Sequence, residues 1–115
     1  VTRIIGDVKD KNVLVVDDLI DTAGTIINGV NVLKEQGAKD VYVASTHPIL
    51  SGEAISRIQE SPITKIYFTD SVGIPKEKRI EKLEILSVAE LLSDAILRIH
   101  EERSISDLFP LKGKL

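Results

Sequence analysis

Residues 17–25 combine carboxylates, hydroxyls and a glycine in a pattern that could bind a phosphorylated ligand. The candidate binding residues are Asp17, Asp18, Asp21, Thr22, Ala23, Gly24 and Thr25. At the start of a helix, the backbone N–H groups of Thr22 to Thr25 would lack partners, and the helix dipole would add positive potential. Because Gly24 would let the backbone approach a ligand closely, the segment predicts a site for a phosphate monoester.

The acidic pair Asp17 and Asp18 would repel the phosphate itself, because the charges have the same sign. Their oxygens can instead accept hydrogen bonds from sugar hydroxyls and help to hold a hydrated Mg²⁺ ion, the cofactor that we predict. Together with the phosphate segment, the pair predicts a pocket for a ribose phosphate.

Two other interpretations of this region stay open on spacing alone. In the plainer one, Asp21 or Thr22 only caps a helix and the acidic pair is an ordinary turn. In the other, Val13–Asp18 resembles the opening of response-regulator receiver domains, which need a phosphoacceptor Asp at the end of a later strand. Here Ala44 is followed by Ser45-Thr46-His47, and no Asp stands in the place of the phosphoacceptor. The receiver domain is therefore a minor alternative.

Periodicity along the chain predicts the elements that would position the segment. A continuous apolar run at 13–16 predicts a parallel strand covered on both faces, which we expect at the centre of the sheet. Apolar residues at helical spacing up to Leu33 predict a helix that stops at Gly37. Further strands are predicted at 2–5, 41–44, 66–68 and 83–86, and further helices at 54–58, capped by Ser51, and at 88–99, capped by Ser87.

This alternation predicts the fold class: an α/β domain with a Rossmann-like, mostly parallel sheet and flanking helices. In such sheets ligands bind beyond the carboxyl ends of the strands. The segments that we expect at that edge are 17–25, 45–51 and 69–75.

Length and composition restrict the function further. The chain has 115 residues and predicts one domain, residues 1–115. Its net charge of −3 argues against a nucleic-acid partner, and no apolar run approaches the roughly 20 residues of a membrane helix. The chain has no Cys, which excludes disulfides and agrees with a reducing compartment. We therefore expect a cytoplasmic protein without a membrane partner.

The full segment, in which a strand is followed by Asp-Asp and then by Asp-Thr-Ala-Gly-Thr, resembles the phosphoribosyl-diphosphate motif of the type I phosphoribosyltransferase fold. Asp21–Thr25 is most similar to the version found in ribose-phosphate pyrophosphokinases, whereas nucleobase transferases more often carry a loop like Thr-Thr-Gly-Gly-Thr. The same resemblance extends to residues 6–8, 46–52, 86–100 and 104–109, and so covers nearly the whole chain.

The resemblance implies the C-terminal domain of such an enzyme, with its N-terminal ATP-binding domain and catalytic flexible loop absent from this chain. It assigns Asp17 and Asp18 to the ribose hydroxyls and the metal, and Asp21–Thr25 to ribose 5-phosphate. The implied reaction transfers diphosphate from Mg-ATP to C1 of ribose 5-phosphate, giving phosphoribosyl diphosphate and AMP. ATP would be held mainly by the absent domain, the full-length protein would be a homo-oligomer, and no catalytic residue is expected in this chain.

Two rival functions stay open beside this one: a phosphoribosyltransferase that moves the sugar to a nucleobase, and a non-catalytic regulatory homologue that forms mixed oligomers. The intact loop at Asp21–Thr25 argues against a degenerate site. Ser104, Ser106 and Phe109 match a family stretch that helps to form a regulatory phosphate or nucleotide site between subunits.

The remaining chemically active side chains are expected to be structural. His47 is predicted to bond to backbone, because no second histidine or carboxylate stands at metal-binding spacing beside it. His100 is predicted to lie on the surface. A basic cluster alternates with glutamates and predicts a solvated face; it consists of Lys76, Lys78, Arg79 and Lys82.

Overall fold

Four parallel strands form one sheet in the computed structural model, which describes residues 3–109. The strands are β1 (Val13–Ile20), β2 (Val41–Pro48), β3 (Lys65–Thr69) and β4 (Leu83–Leu86). They lie in the order β1-β2-β3-β4, with Val15 opposite Val43 and Ser45 opposite Phe68. The parallel sheet with its helices confirms the predicted fold class.

Three α-helices accompany the sheet: α1 (Gly24–Glu35), α2 (Ala54–Glu60) and α3 (Ala89–His100). Short 3-10 turns lie at Lys76–Lys78 and Ser106–Leu108. The core lies between one face of the sheet and the first two helices, since strand residues such as Val43 and Phe68 are buried in one cluster with Val30 of α1 and Ile58 of α2.

The ends of α1 and α2 follow from local chemistry. Gly37 has a φ of 94° and donates its N–H to the Lys34 carbonyl at 3.0 Å, which closes the last turn of α1 as predicted. At the end of α2, Ser61 is extended before Pro62, because proline disfavours a helical residue in front of it. The prediction for its start is wrong: the Ser51 hydroxyl does not cap α2 but donates to the carboxylate of Asp21.

The position of β1 in the sheet differs from our expectation. Within residues 3–109, β1 pairs with β2 alone and forms an edge of the sheet. Its outward side chains Leu14 and Val16 are 59% and 72% exposed. The prediction that this strand lies at the centre of the sheet and is covered on both faces is therefore wrong. An apolar β-branched run has the same sequence pattern whether or not a helix covers its second face. Residues 3–5 form no strand, and the first two residues lie outside the described range.

Helix α3 occupies the predicted place but does not bury its apolar side. None of its residues is buried, and Ile96 is 67% exposed. The predicted cap is off by one residue: the N-cap is Val88, which has no side-chain cap, and the Oγ of the preceding Ser87 accepts the N–H of Ala89 at 3.2 Å. No helix among residues 3–109 is long and apolar enough to cross a membrane.

Candidate functional site

An open depression of about 340 Å³ lies where β1 leads into α1. Residues 17–26 line it, so the structure brings all seven predicted binding residues to one place. The acidic and threonine side chains of the segment are exposed, while Ile20, Ala23 and Ile26 are buried in the core. Apolar anchors on both sides of the polar loop therefore hold it against the sheet, and its polar atoms face solvent.

Ala23 determines the shape of the turn into the helix. Its backbone has φ 67° and ψ 0°, in the left-handed region that residues with a side chain rarely adopt. No side chain caps α1 at this residue, so the interpretation of Asp21 or Thr22 as a simple helix cap is wrong. The first-turn N–H groups of α1, which have no partner within a helix, are left facing the depression.

The space around Gly24 is not crowded by neighbouring protein atoms. A Cβ placed on Gly24 would meet its nearest atom outside the helix, Nη1 of Arg57, at 4.0 Å, which is ordinary van der Waals contact. The backbone of Gly24 does not have a positive φ. Neither packing nor backbone conformation therefore requires glycine here, and a side chain at this position would begin on the side of the loop that faces Arg57.

The acidic pair lies in the second half of β1, because the strand continues to Ile20 beyond the predicted run at 13–16. Oδ1 of Asp17 accepts the N–H of Asp18 at 2.8 Å, which orients the Asp17 carboxylate. Residues 3–109 contain no group of three or more acidic or histidine side chains that could hold a metal ion. Two exposed carboxylates fit Mg²⁺ all the same, because this ion commonly takes one or two carboxylates and completes its shell with waters and substrate phosphates.

A polar network joins β1, β2 and β3 near their carboxyl ends and includes Asp18 of the acidic pair. Thr46 donates its hydroxyl to the Asp18 carbonyl at 2.6 Å, and Nδ1 of His47 lies 3.0 Å from the same carbonyl oxygen. The hydroxyls of Thr69 and Ser71 both donate to the Thr46 carbonyl at 2.7 Å. The three segments expected at the carboxyl edge thus meet there, and His47 contacts backbone as predicted.

Two residues beside the loop were missed by the sequence analysis. Ser51 donates its hydroxyl to the Asp21 carboxylate and its backbone N–H to the Asp21 carbonyl at 3.1 Å. Arg57 of α2 donates from Nη1 to the Thr22 carbonyl at 3.0 Å. The sequence placed segment 45–51 at the same edge of the sheet as the loop but predicted Ser51 as a helix cap, and no sequence signal links Arg57 to its partner 35 positions away.

The candidate regulatory residues lie beyond α3 and do not line the depression. The hydroxyls of Ser104 and Ser106 are 2.5 Å apart, and the side chain of Phe109 is exposed. Arg98 stands beside them and bonds to Asp94 and Asp107, each at 3.1 Å; the hydrogen bond with Asp94 is the main reason that the Arg98 pKa is raised.

The basic cluster is a solvated face only in part: Lys76 and Arg79 are exposed as expected, whereas Lys78 and Lys82 are partly buried, and the expectation is wrong for these two. Nζ of Lys78 donates to the Leu50 carbonyl at 2.8 Å. Nζ of Lys82 donates to the Ser61 carbonyl at 2.6 Å, where α2 ends. Arg79 donates to the carbonyl of Ile74, within its own loop, at 3.0 Å. These cations satisfy backbone carbonyls at turns, which alternation of charge along the sequence does not reveal.

Comparison with known proteins gives consistent matches. The sequence profile of the phosphoribosyl synthetase-associated domain matches residues 1–110. A ribose-phosphate pyrophosphokinase of Caldanaerobacter subterraneus is 51% identical over 109 residues, which are 95% of this chain and 34% of that protein. Ribose-phosphate pyrophosphokinase 2 of Enterococcus faecalis is 50% identical over 114 residues, 99% of this chain and 35% of that protein.

A solved structure agrees with the sequence matches. The crystal structure of phosphoribosylpyrophosphate synthetase from Mycobacterium smegmatis superposes with a TM-score of 0.83 at 43% identity. It covers 87% of this chain and 34% of that one. The chain therefore spans about a third of the length of the relatives that it matches.

Proposed function

Because the chain belongs to the phosphoribosyl synthetase-associated domain family, we propose that it is the C-terminal, ribose 5-phosphate-binding domain of a ribose-phosphate pyrophosphokinase. The observation that carries the proposal is the uncapped start of α1, whose loop at 21–25 opens into a depression beside two exposed carboxylates. The names of the relatives favour this function over a nucleobase transferase.

The proposed reaction takes place at the anomeric carbon of ribose 5-phosphate. The C1 hydroxyl oxygen attacks the β-phosphorus of ATP, the bond between that phosphorus and the bridging oxygen to the α-phosphate breaks, and AMP leaves. The hydroxyl proton is released, and the product is phosphoribosyl diphosphate. Such a transfer depends on positioning and on neutralising the charge of the migrating group.

In this proposal the chain holds the acceptor. The first-turn N–H groups of α1 and the hydroxyls of Thr22 and Thr25 donate to the 5-phosphate, where the helix dipole favours an anion. Asp17 and Asp18 accept hydrogen bonds from the ribose hydroxyls and so orient the ring. Because the phosphate loop and the acidic pair lie at opposite ends of one continuous segment, the sugar phosphate would be held at two points.

Mg²⁺ is the proposed cofactor, and Asp17 and Asp18 are the residues that would hold it together with water and substrate oxygens. When bound, the ion neutralises part of the charge on the diphosphate group. The ATP-binding domain, the catalytic flexible loop and the homo-oligomer are proposed for the full-length protein. A cytoplasmic location fits a chain without cysteine.

The proposal is tested by calorimetric titration of the 115-residue chain with ribose 5-phosphate, inorganic phosphate and ribose, each with and without Mg²⁺. We expect ribose 5-phosphate to bind more tightly than either fragment, because only the intact ligand reaches both the loop and the acidic pair. Equal affinity for ribose 5-phosphate and inorganic phosphate would contradict a role of the acidic pair. Absence of any phosphate-dependent binding would overturn the proposed function.

A further inference from the structure

We propose that Ser51 and Arg57 are positioning residues that hold the 21–25 loop in its ligand-binding shape. This inference rests on the proposed function. Neither residue belongs to the loop, and neither lines the depression. Each acts from outside through one side-chain hydrogen bond to one of two consecutive residues, Asp21 and Thr22.

The need for such restraints comes from Ala23. Its φ of 67° is disfavoured for a residue with a Cβ atom, and such conformations persist only where the surroundings hold them. After Ala23 the chain is held by α1, since the N–H of Ile27 donates to the Ala23 carbonyl at 3.1 Å. Before Ala23 the described side-chain bonds to the loop come from Ser51 and Arg57. The strained residue is therefore restrained on both sides.

The two bonds have different effects on the loop. The Ser51 hydroxyl engages the Asp21 carboxylate, which holds this negative group to the β2–α2 connection and away from the place proposed for the phosphate. The Arg57 guanidinium bonds to a backbone carbonyl and brings a positive charge behind the loop. Its side chain is 46% exposed and has an ion pair with Glu53 at 4.0 Å, a long contact that leaves Arg57 available to the loop.

The segment that carries Ser51 is itself fixed. The N–H groups of Ile49 and Leu50 donate to the Ile20 carbonyl at 3.0 and 3.1 Å, and Lys78 holds the Leu50 carbonyl at 2.8 Å. Ser51 therefore approaches Asp21 from a rigid support, so a small change of its side chain should act on the loop alone.

The test combines ligand affinity with local backbone protection in the full 115-residue chain. Ser51→Ala and Arg57→Ala are each expected to weaken binding of ribose 5-phosphate by about three- to tenfold, the usual worth of a single hydrogen bond. Ser51→Thr keeps the hydroxyl and should restore affinity. Ser93→Ala and Arg103→Ala are the matched controls, because Ser93 bonds within α3 and Arg103 pairs with Glu101 at 2.7 Å.

Amide hydrogen exchange gives a readout that needs no ligand. In both variants the amides of residues 22–25 should exchange faster than in wild type, while those of Val43 and Phe68 in the core strands remain protected. In a double-mutant cycle of Ser51→Ala with Asp21→Ala, the effects of the two changes on ribose 5-phosphate affinity should be non-additive. Both changes remove the same hydrogen bond, from the Ser51 hydroxyl to the Asp21 carboxylate.

The outcomes separate the two proposals. If wild type binds no ribose 5-phosphate, the proposed function fails, and the exchange measurement still decides on the positioning role. If wild type binds and both variants bind equally well, the positioning role is overturned. Unchanged exchange at 22–25, or a fully additive cycle, would overturn it as well, and so would a Ser51→Thr variant as weak as Ser51→Ala.

Discussion

Ser87 donates a hydrogen bond of 2.6 Å to Asp70, and so ties the residue after β3 to the start of α3. The second oxygen of Asp70 accepts the N–H of Val88 at 2.9 Å. The carboxylate therefore accepts hydrogen bonds from both the Ser87 side chain and the backbone N–H of Val88, just before the helix starts. These two hydrogen bonds, with that of Ser87 the larger cause, lower the pKa of Asp70 below its ordinary value of 3.8.

This relationship predicts an acid dependence of the contact between β3 and α3. A lowered folded-state pKa means that Asp70 stabilises the fold above its unfolded pKa of about 3.9, and that this stabilisation is lost as the pH falls through the folded pKa. Asp70→Asn should therefore be less stable than wild type at pH 7. The difference should shrink as the pH falls below about 3.9 and through the lower folded-state pKa, where folded wild type also loses the charge.

Urea unfolding of both proteins between pH 2 and pH 7 measures this difference. Glu35→Gln, which removes a carboxylate from the exposed end of α1, is the matched control and should show no such pH dependence. A difference between wild type and Asp70→Asn that stays constant across the range would contradict the role of the Asp70 charge.

Gly24→Val should weaken binding of ribose 5-phosphate at least tenfold, a loss of about 1.4 kcal/mol, because a branched side chain at the first residue of α1 obstructs the close approach of a phosphate to the loop backbone. The protein should still fold, since a Cβ at Gly24 meets only Nη1 of Arg57, at 4.0 Å. Gly29→Val in the same helix is the matched control, because a Cβ there meets nothing within 4 Å. If calorimetry gives both variants the same affinity for ribose 5-phosphate, the proposal that the phosphate binds at this loop is contradicted.

Asp18→Asn keeps the size of the side chain and deletes one negative charge beside the ligand. The Mg²⁺ dependence of ribose 5-phosphate binding should weaken, while phosphate binding without metal should hold or improve, because repulsion of the anion falls. The measurement is a titration with and without Mg²⁺, with Asp10→Asn as control, since asparagine also tolerates the φ of 60° at that turn. A variant that loses phosphate binding and keeps its response to Mg²⁺ would contradict the assignment.

The 115-residue chain should bind ribose 5-phosphate without producing AMP from Mg-ATP. Diphosphoryl transfer requires ATP in line with the anomeric hydroxyl and cations over the migrating group. Three of the four residues of the basic cluster use their charged groups on backbone carbonyls. AMP release is measured with purified chain, Mg-ATP and ribose 5-phosphate. Turnover within tenfold of the usual enzyme range, about 1–10³ s⁻¹, would show that the catalytic groups lie in this chain.

Substitutions in the core and on α3 should differ sharply in how much they lower the free energy of unfolding. Phe68 is 1% exposed, and Phe68→Ala should lower the free energy of unfolding by about 3–5 kcal/mol through the cavity that it leaves. Ile96 is 67% exposed, and Ile96→Ala should change stability by no more than about 0.5 kcal/mol. Urea denaturation measures both values. A large loss for Ile96→Ala would show that α3 buries its apolar side in solution.

Local patterns in the sequence were sufficient for the elements and for the candidate loop. Strand β4 was predicted at its observed bounds, and the stop of α1 at Gly37 was predicted from one glycine whose positive φ the structure contains. The segment 17–25 was found because its hydroxyls, carboxylates and glycine are consecutive, so no knowledge of distant contacts was needed. These signals lie within single short segments, so residues a few positions apart are enough to reveal them.

Only the tertiary structure decided which elements are neighbours and which side chains support the loop. The run at 13–16 is equally apolar at the centre or the edge of a sheet, and only strand order places β1 at the edge. Ser51 has the residue type of a helix cap, yet it bonds to Asp21, and Arg57 bonds to Thr22. Such contacts join residues 30 and 35 positions apart, and they depend on how α2 packs beside α1, which periodicity along one segment does not encode.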